Sequence, residues 1–346
     1  MKRVFLGILL SLILVFRVSA QFDGLFSNYM YNLCVVNPAY TGEQTLMQVS
    51  MLQRTQWAGF KGAPITSMLS VDMPFKIGKA QQGAGIQFLS DVFGFFNNQQ
   101  VNLLYSSKFK IKEGRLSVGA NVGFLNVICD VKGGNKSDLG TGGTPGGGNN
   151  SDNKGRREEI RDVDSEYHTN HSDDNAVPQS RESGVGFDLG FGIQYLAKNW
   201  RVGLSATHLT SPKIGLGEKA IFTVKPFYQL HGGIDFALKN PDLSLTADLL
   251  VATDLVVGTI NVSLRMDIKY KYWAGVGVRM ADNMLFNEVA FMGGIKILDG
   301  LRLGYTLALP TNGIIAKSYG THEIFASYEF ALVREKSRAF KSLRIL

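Results

Sequence analysis

From residue 185 to residue 330 the chain alternates with a period of two, and the polar face of that alternation carries full charges. Phe187, Leu189, Phe191, Ile193 and Tyr195 fall on one face, with Gly186, Asp188, Gly190, Gly192 and Gln194 between them. Val262, Leu264, Met266, Ile268 and Tyr270 are set in the same way against Ser263, Arg265, Asp267, Lys269 and Lys271. A period of two marks strands. A soluble sandwich shares the alternation, but ten-residue strands with charges on the non-apolar face suit a closed barrel, apolar outside and wet inside.

The opening of the chain fits export. Met1-Lys2-Arg3 is a basic start, an apolar stretch follows over residues 4–16, and Val18-Ser19-Ala20 precedes Gln21 like a small-residue cleavage site. Residues 1–20 are therefore predicted to be a signal peptide, too short in its apolar part for the ~20 residues of a spanning helix. Downstream no run of 18 apolar residues occurs. A chain of this kind can cross a bilayer only as a closed barrel, which satisfies every backbone group in lipid, and an exported barrel belongs in the outer membrane. Cys34 and Cys129 have neither metal nor redox spacing and read as unpaired packing residues.

The net charge of +7 conceals a split. Residues 131–184 hold seven Lys/Arg and ten Asp/Glu, so the rest of the mature chain is basic by about seven charges. That excess permits affinity for anionic lipid, cell-wall polymer or an acidic protein. The same segment, built of Gly, Asn, Ser and Asp, cannot bury enough apolar surface to fold alone and reads as a disordered external loop. Its His168 and His171, near Asp173 and Asp174, have no framework to hold a metal, and Gly133-Gly134 and Thr144-Pro145-Gly146 lack the strand and helix of a phosphate-binding loop. No metal, cofactor or nucleic-acid partner is expected.

About fourteen strands are predicted, near 45–54, 65–74, 82–91, 99–110, 115–128, 184–197, 200–209, 226–238, 242–252, 258–271, 273–281, 285–297, 301–309 and 321–332. An even count puts both ends of the barrel, 45–332, on one side. Connections then sort by length: Lys112-Glu113-Gly114, Lys198-Asn199, Asn240-Pro241, Tyr272 and Leu298-Asp299-Gly300 are tight, whereas residues 55–64, 129–183, 211–225 and 310–320 are long. Short turns face the periplasm in such barrels and long loops face outward. Two connections break the pattern, a longish turn at 74–81 and a short external one at 282–284. Tyr195 with Trp200, and Tyr270 with Tyr272 and Trp273, are expected in an interfacial girdle beside two short turns. Residues 21–44 and the basic tail 333–346, with Arg334, Lys336, Arg338, Lys341 and Arg344, are both expected on the periplasmic side.

Catalysis has thin support. His231 and Asp235 share a face of one strand, but four residues separate them by ~13 Å. Ser205 could pair with His231 across neighbouring strands, yet no oxyanion-hole signal accompanies them. Arg265, Lys269 and Lys271 are expected to meet Asp242 and Asp248 in cross-strand ion pairs that partly fill the lumen.

The most specific text lies at the two ends. Tyr29-Met30-Tyr31-Asn32, Asn37-Pro38-Ala39-Tyr40-Thr41-Gly42 and Arg54-Thr55-Gln56-Trp57-Ala58-Gly59-Phe60-Lys61-Gly62-Ala63-Pro64 open the chain, and Leu303-Gly304-Tyr305, Gly320-Thr321-His322-Glu323-Ile324 and Tyr328 close it. This pattern resembles the PorP/SprF family of type IX secretion system outer-membrane proteins, with Cys34 a departure from it. The resemblance implies a non-enzymatic barrel that docks to the machinery's periplasmic ring lipoprotein and other type IX components. It also implies help in anchoring a secreted cargo or adhesin, in some relatives for gliding. Lipid of the outer membrane and a peptidoglycan-linked protein are further expected partners. The residues carrying the signature, and the expected partner contacts, are Asn37, Pro38, Ala39, Tyr40, Gly42, Arg54, Trp57, Gly62, Pro64, His322 and Glu323. Physically, Asn37-Pro38 and Thr41-Gly42 are turn formers that would fold the segment back at the periplasmic mouth for protein contact, the alternative being that it only plugs or caps the barrel. A channel or hydrophobic-solute transporter, and a barrel lipid hydrolase, are the competing readings.

Overall fold

The computed structural model describes residues 24–331 apart from 61, 79, 131–180, 218–219, 282–284 and 299. The expected signal peptide, nearly all of the acidic insert with His168 and His171, and the basic tail lie outside the described residues.

Fourteen strands close into one antiparallel barrel: β1 (Met47–Thr55), β2 (Ile65–Ile77), β3 (Ala80–Phe93), β4 (Phe96–Ile111), β5 (Gly114–Cys129), β6 (Glu182–Leu196), β7 (Trp200–Thr207), β10 (Phe227–Ala237), β11 (Leu243–Thr253), β12 (Gly258–Ile268), β13 (Tyr272–Ala281), β14 (Leu285–Leu298), β15 (Leu301–Pro310) and β16 (Thr321–Phe330). Each barrel strand pairs with its neighbours in the chain, and β1 pairs with β16 to shut the ring, so no edge is left open. The two strands outside the ring, β8 (Lys213–Leu216) and β9 (Ala220–Thr223), form a separate hairpin in the long connection between β7 and β10.

The burial pattern is inverted relative to a water-soluble protein. Along β6, Phe187, Leu189, Phe191 and Ile193 are exposed while Asp188 and Gln194 are buried. Along β12, Val262 and Leu264 face out, and Thr259, Asn261 and Ser263 face in. An outer wall of this kind is stable only against hydrocarbon. No helix among the described residues is long and apolar enough to cross a membrane, and the spanning is done by strands.

Every expected strand is present, with ends moved by up to three residues. The long turn expected at 74–81 is instead tight: β2 runs through Pro74 to Ile77, β3 resumes at Ala80, and Gly78 turns at φ 60°. Its correction makes all six connections at that end short, and this is called the short-turn end below. The girdle pair Tyr195 and Trp200 stands as expected, rings 5.4 Å apart. Trp273 does not. It points into the lumen and is 6% exposed, because Gly294 and Gly304 on β14 and β15 leave room for its indole.

Candidate functional site

The lumen is occupied by the chain's own N-terminal segment. Residues 24–44 run as three successive 3-10 turns, Tyr29–Tyr31, Leu33–Val35 and Pro38–Tyr40, from the long-loop end to the short-turn end, where β1 begins. They sit inside the wall, so the expectation of a segment folded at the periplasmic mouth is corrected. The physical reason is visible in the wall itself. Leu52, Met68, Leu250, Met292 and Phe325 point inward where polar residues would serve a water-filled pore, and they bury Phe26, Tyr29, Met30, Leu33 and Val36. The hydrophobic effect thereby closes a tube whose wall is otherwise polar.

Three polar anchors hold the segment. At the long-loop end, Glu323 on β16 accepts the backbone N–H of Ser27 at 2.7 Å, the N–H of Asn28 at 3.1 Å and the Asn28 side-chain amide at 3.2 Å. Arg54 on β1 donates Nη1 to Glu323 at 2.8 Å and to the Leu25 carbonyl at 3.0 Å, and reaches Glu288 at 3.4 Å. Arg279 joins from β13, bonded to Leu25, to the Ser27 hydroxyl and to Glu288. A charge in this place needs such multiple partners to offset its desolvation.

In the middle, Tyr31 stacks on Phe325 with centroids 5.1 Å apart, lies equally close to Trp273, and has the Arg265 guanidinium 5.0 Å over its ring. Asn32 donates to the Ser70 hydroxyl at 2.6 Å. Asn37 caps the last 3-10 turn, its Oδ1 accepting the Ala39 N–H at 2.9 Å. Its amide nitrogen meets the Ile193 and Leu204 carbonyls and lies 3.1 Å from His231 Nε2. Below it, Gly119 and Gly192 let the segment touch the wall; a Cβ on Gly119 would overlap the Pro38 and Ala39 backbone, and one on Gly192 the Asn37 side chain.

At the short-turn end the Thr41 carbonyl accepts from Ser106 and Lys108, the Gly42 N–H donates to Asp72 at 2.7 Å, and Glu43 pairs with Arg115. Gly42 has φ 62°, and a Cβ there would collide with Gly83 and the Met73 carbonyl, so both backbone and space require glycine. Between segment and wall remains a cavity of about 50 Å³, bordered by Phe26, Tyr29, Val36, Gln87, Asn102 and Gln229. From the long-loop side the β8–β9 hairpin folds over β5 and β6, burying Ile214 and Leu216 against Leu125, Val127 and Cys129.

The signature residues thus divide into two groups. Asn37, Pro38, Ala39, Tyr40, Gly42, Arg54 and Glu323 join segment to wall inside the lumen. Trp57, Gly62 and Pro64 belong to the β1–β2 loop and His322 to the start of β16, next to the β15–β16 loop, and the two loops bind each other: the Ala58 N–H donates to Gly320 at 2.8 Å, the Tyr319 N–H to Ala58 at 2.7 Å, and the Trp57 N–H to the Thr321 hydroxyl at 3.3 Å. Pro64 accepts the Gln56 N–H, Gly62 turns at φ 73°, and His322 Nδ1 lies 2.6 Å from the Tyr305 hydroxyl.

Several expected pairings are rearranged. Ser205 and His231 do not pair with each other; Ser205 donates to the Val36 carbonyl and His231 meets Asn37, both serving the lumen segment. Asp248 pairs not with Arg265 but with Arg201 on β7, which reaches it across Gly233 of the intervening β10. Arg265 binds Asp267 on its own strand at 3.0 Å. Lys269 and Lys271 stand exposed in the β12–β13 turn, where Lys269 and Tyr270 take φ 52° and 53°, rather than lining the lumen.

A closed fourteen-stranded ring, apolar outside and filled by its own N-terminal segment, defines an outer-membrane type of β-barrel. Its family follows from the sequence: the model for the type IX secretion system membrane protein PorP/SprF matches residues 18–328, and the chain belongs to that family. No curated protein matches the chain. Among solved structures it is similar to the outer membrane protein Omp33 of Acinetobacter baumannii, with 6% identity and TM-score 0.45 over 84% of this chain and 100% of that one. The CymD monoaromatic hydrocarbon channel has 12% identity and TM-score 0.48 over 91% and 95%. The P. putida toluene transporter TodX has 11% identity and TM-score 0.42 over 85% and 93%.

Proposed function

We propose that this protein is a plugged, non-conducting barrel that serves the type IX machinery as an assembly and docking component in the outer membrane. In this reading residues 1–20 direct export, and the short turns and the tail 333–346 face the periplasm and its ring lipoprotein. The long loops face outward, where a secreted cargo or adhesin is anchored, in motility as well as secretion. The observation that carries it is the lumen segment 24–44, tied to nine barrel strands by hydrogen bonds and an ion pair. An open, water-filled pore is incompatible with so many contacts across its own axis. A rigid barrel with a fixed interior presents both of its ends in one conformation, which suits protein contact because little ordering is needed on binding.

Crosslinking in intact envelopes from positions on the short turns tests the proposal. Recovery of a periplasmic lipoprotein of the secretion system is expected. Recovery of the barrel alone, together with steady conductance in a planar bilayer, would favour the channel reading instead. The hydrolase reading predicts lipid cleavage lost on Ser205→Ala, whereas here that substitution removes only an anchor of Val36.

A further inference from the structure

The described part of the short-turn end carries a ring of positive charge. Each of the six short turns contributes lysine within or beside it: Lys76 at β2–β3, Lys112 at β4–β5, Lys198 at β6–β7, Lys239 at β10–β11, Lys271 at β12–β13 and Lys296 at β14–β15. The first five are exposed and Lys296 is half-buried. Within or beside the same turns the described carboxylates are Glu113, Asp242 and Asp267, the last bound to Arg265. Among the described residues none of the six lysines is in an ion pair. At the opposite end the described lysines Lys213, Lys225 and Lys317 are confined to the β7–β10 and β15–β16 connections, while the β3–β4 turn, Gly94-Phe95, and the β11–β12 turn over residues 254–257 hold no Lys or Arg, so the charge there does not run around the rim.

We infer that this ring binds the anionic phospholipid headgroups of the leaflet that surrounds the short turns. The charges are distributed around the whole circumference, as the leaflet is, whereas a protein partner docking on one flank would select one sector. Aromatic rings lie at the same level: Trp200 beside Lys198, and Tyr272, over whose ring Lys271 sits at 5.4 Å. Rings of this kind settle at the lipid interface, and lysine stems lie along apolar surface while the ammonium reaches the phosphates. Juxtamembrane lysines are drawn to anionic leaflets by the surface potential, and salt weakens the attraction. The ring therefore fixes the barrel's depth and favours anionic lipid around its lower rim, independently of which secretion partner docks there.

The test reconstitutes the full chain in nanodiscs of phosphatidylcholine with a minority of phosphatidylglycerol and reads the lipids retained by native mass spectrometry. Severalfold enrichment of phosphatidylglycerol is expected, falling toward the bulk ratio at high salt. The same fall is expected in the variant combining Lys112→Gln, Lys198→Gln, Lys239→Gln and Lys271→Gln, with folding checked by the heat-dependent gel shift. Retention of the two lipids in their bulk ratio, or enrichment indifferent to salt, overturns the proposal, and so does enrichment undiminished in a folded variant. The salt series on the unaltered protein decides the matter even if the variant fails to fold. Binding of an acidic soluble protein by the ring without lipid enrichment would assign the charge to a protein partner and also overturn it.

Discussion

Arg54 and Glu323 are direct register partners across the seam where the first and last strands close the barrel, Nη1 to Oε1 2.8 Å, at 2% and 0% exposure. The pair joins three parts of the chain. Arg54 comes from β1, Glu323 from β16, and the backbone of residues 25–28 supplies the remaining hydrogen bonds. Strand closure and lumen filling are thus coupled at one buried charge pair.

Removing one member of such a pair leaves the other charged and unpartnered, at a cost of ~3–5 kcal/mol. Glu323→Ala is therefore expected to lower the denaturant midpoint of the folded barrel strongly. Glu323→Gln, which keeps the side chain's shape and one acceptor oxygen but loses the charge and the second acceptor, should lose less. Equal midpoints for Glu323→Ala and the parent would refute the coupling.

Gly119 supports residues 38–39 by having no side chain. Gly119→Val forces the segment off the wall and is expected to cost ~1–3 kcal/mol as an overpacking change. Gly62→Ala is the contrasting case. Nothing lies within 4 Å of its added Cβ, and only the φ of 73° opposes it, so its cost should be near 1 kcal/mol. Urea titration of both variants by tryptophan fluorescence compares them; reversal of the order contradicts the packing described.

The strands were legible because lipid imposes a strict period of two on every one of them, as in Phe187 to Ile193 against Asp188 to Gln194. The filled lumen left a fainter trace. Leu52, Met68, Leu250, Met292 and Phe325 break the polar parity of their strands, and the aperiodic, aromatic segment at 25–40 is what they bury; the two departures explain each other only once brought together in space. Trp273 follows the same logic, since it shares a face with Gly275 and Gly277 rather than with the outward Tyr272 and Val276. The β8–β9 hairpin was hidden because its partners, Leu125 and Val127, lie across the 131–180 insert in sequence. The Arg201–Asp248 pair skips a strand over Gly233, a geometry that register between adjacent strands does not suggest.

Cys34 is a free thiol within the lumen segment, 4% exposed. Burial pushes its thiol well above the ordinary range, so both access and thiolate fraction are low. Maleimide should leave the folded protein unlabelled at Cys34 and label it in urea. Rapid labelling of the folded barrel, mapped to Cys34 by peptide mass, would mean that the segment leaves the lumen.

Asn37 is 0% exposed and caps the 3-10 turn while donating to strand carbonyls. Asn37→Ala loses a cap worth ~1 kcal/mol and strands buried acceptors at ~1–3 kcal/mol. A clear fall in the unfolding midpoint is expected, and a midpoint equal to that of the parent would contradict the capping and anchoring role of Asn37.

Planar-bilayer recording of the full chain beside the form lacking residues 24–42 is the most direct measurement of the filled lumen. If residues 24–44 close the barrel, the full chain shows no steady conductance steps and the shortened form shows them. Stable porin-like steps from the full chain, of the same size as those of the shortened form, would contradict a plugged barrel.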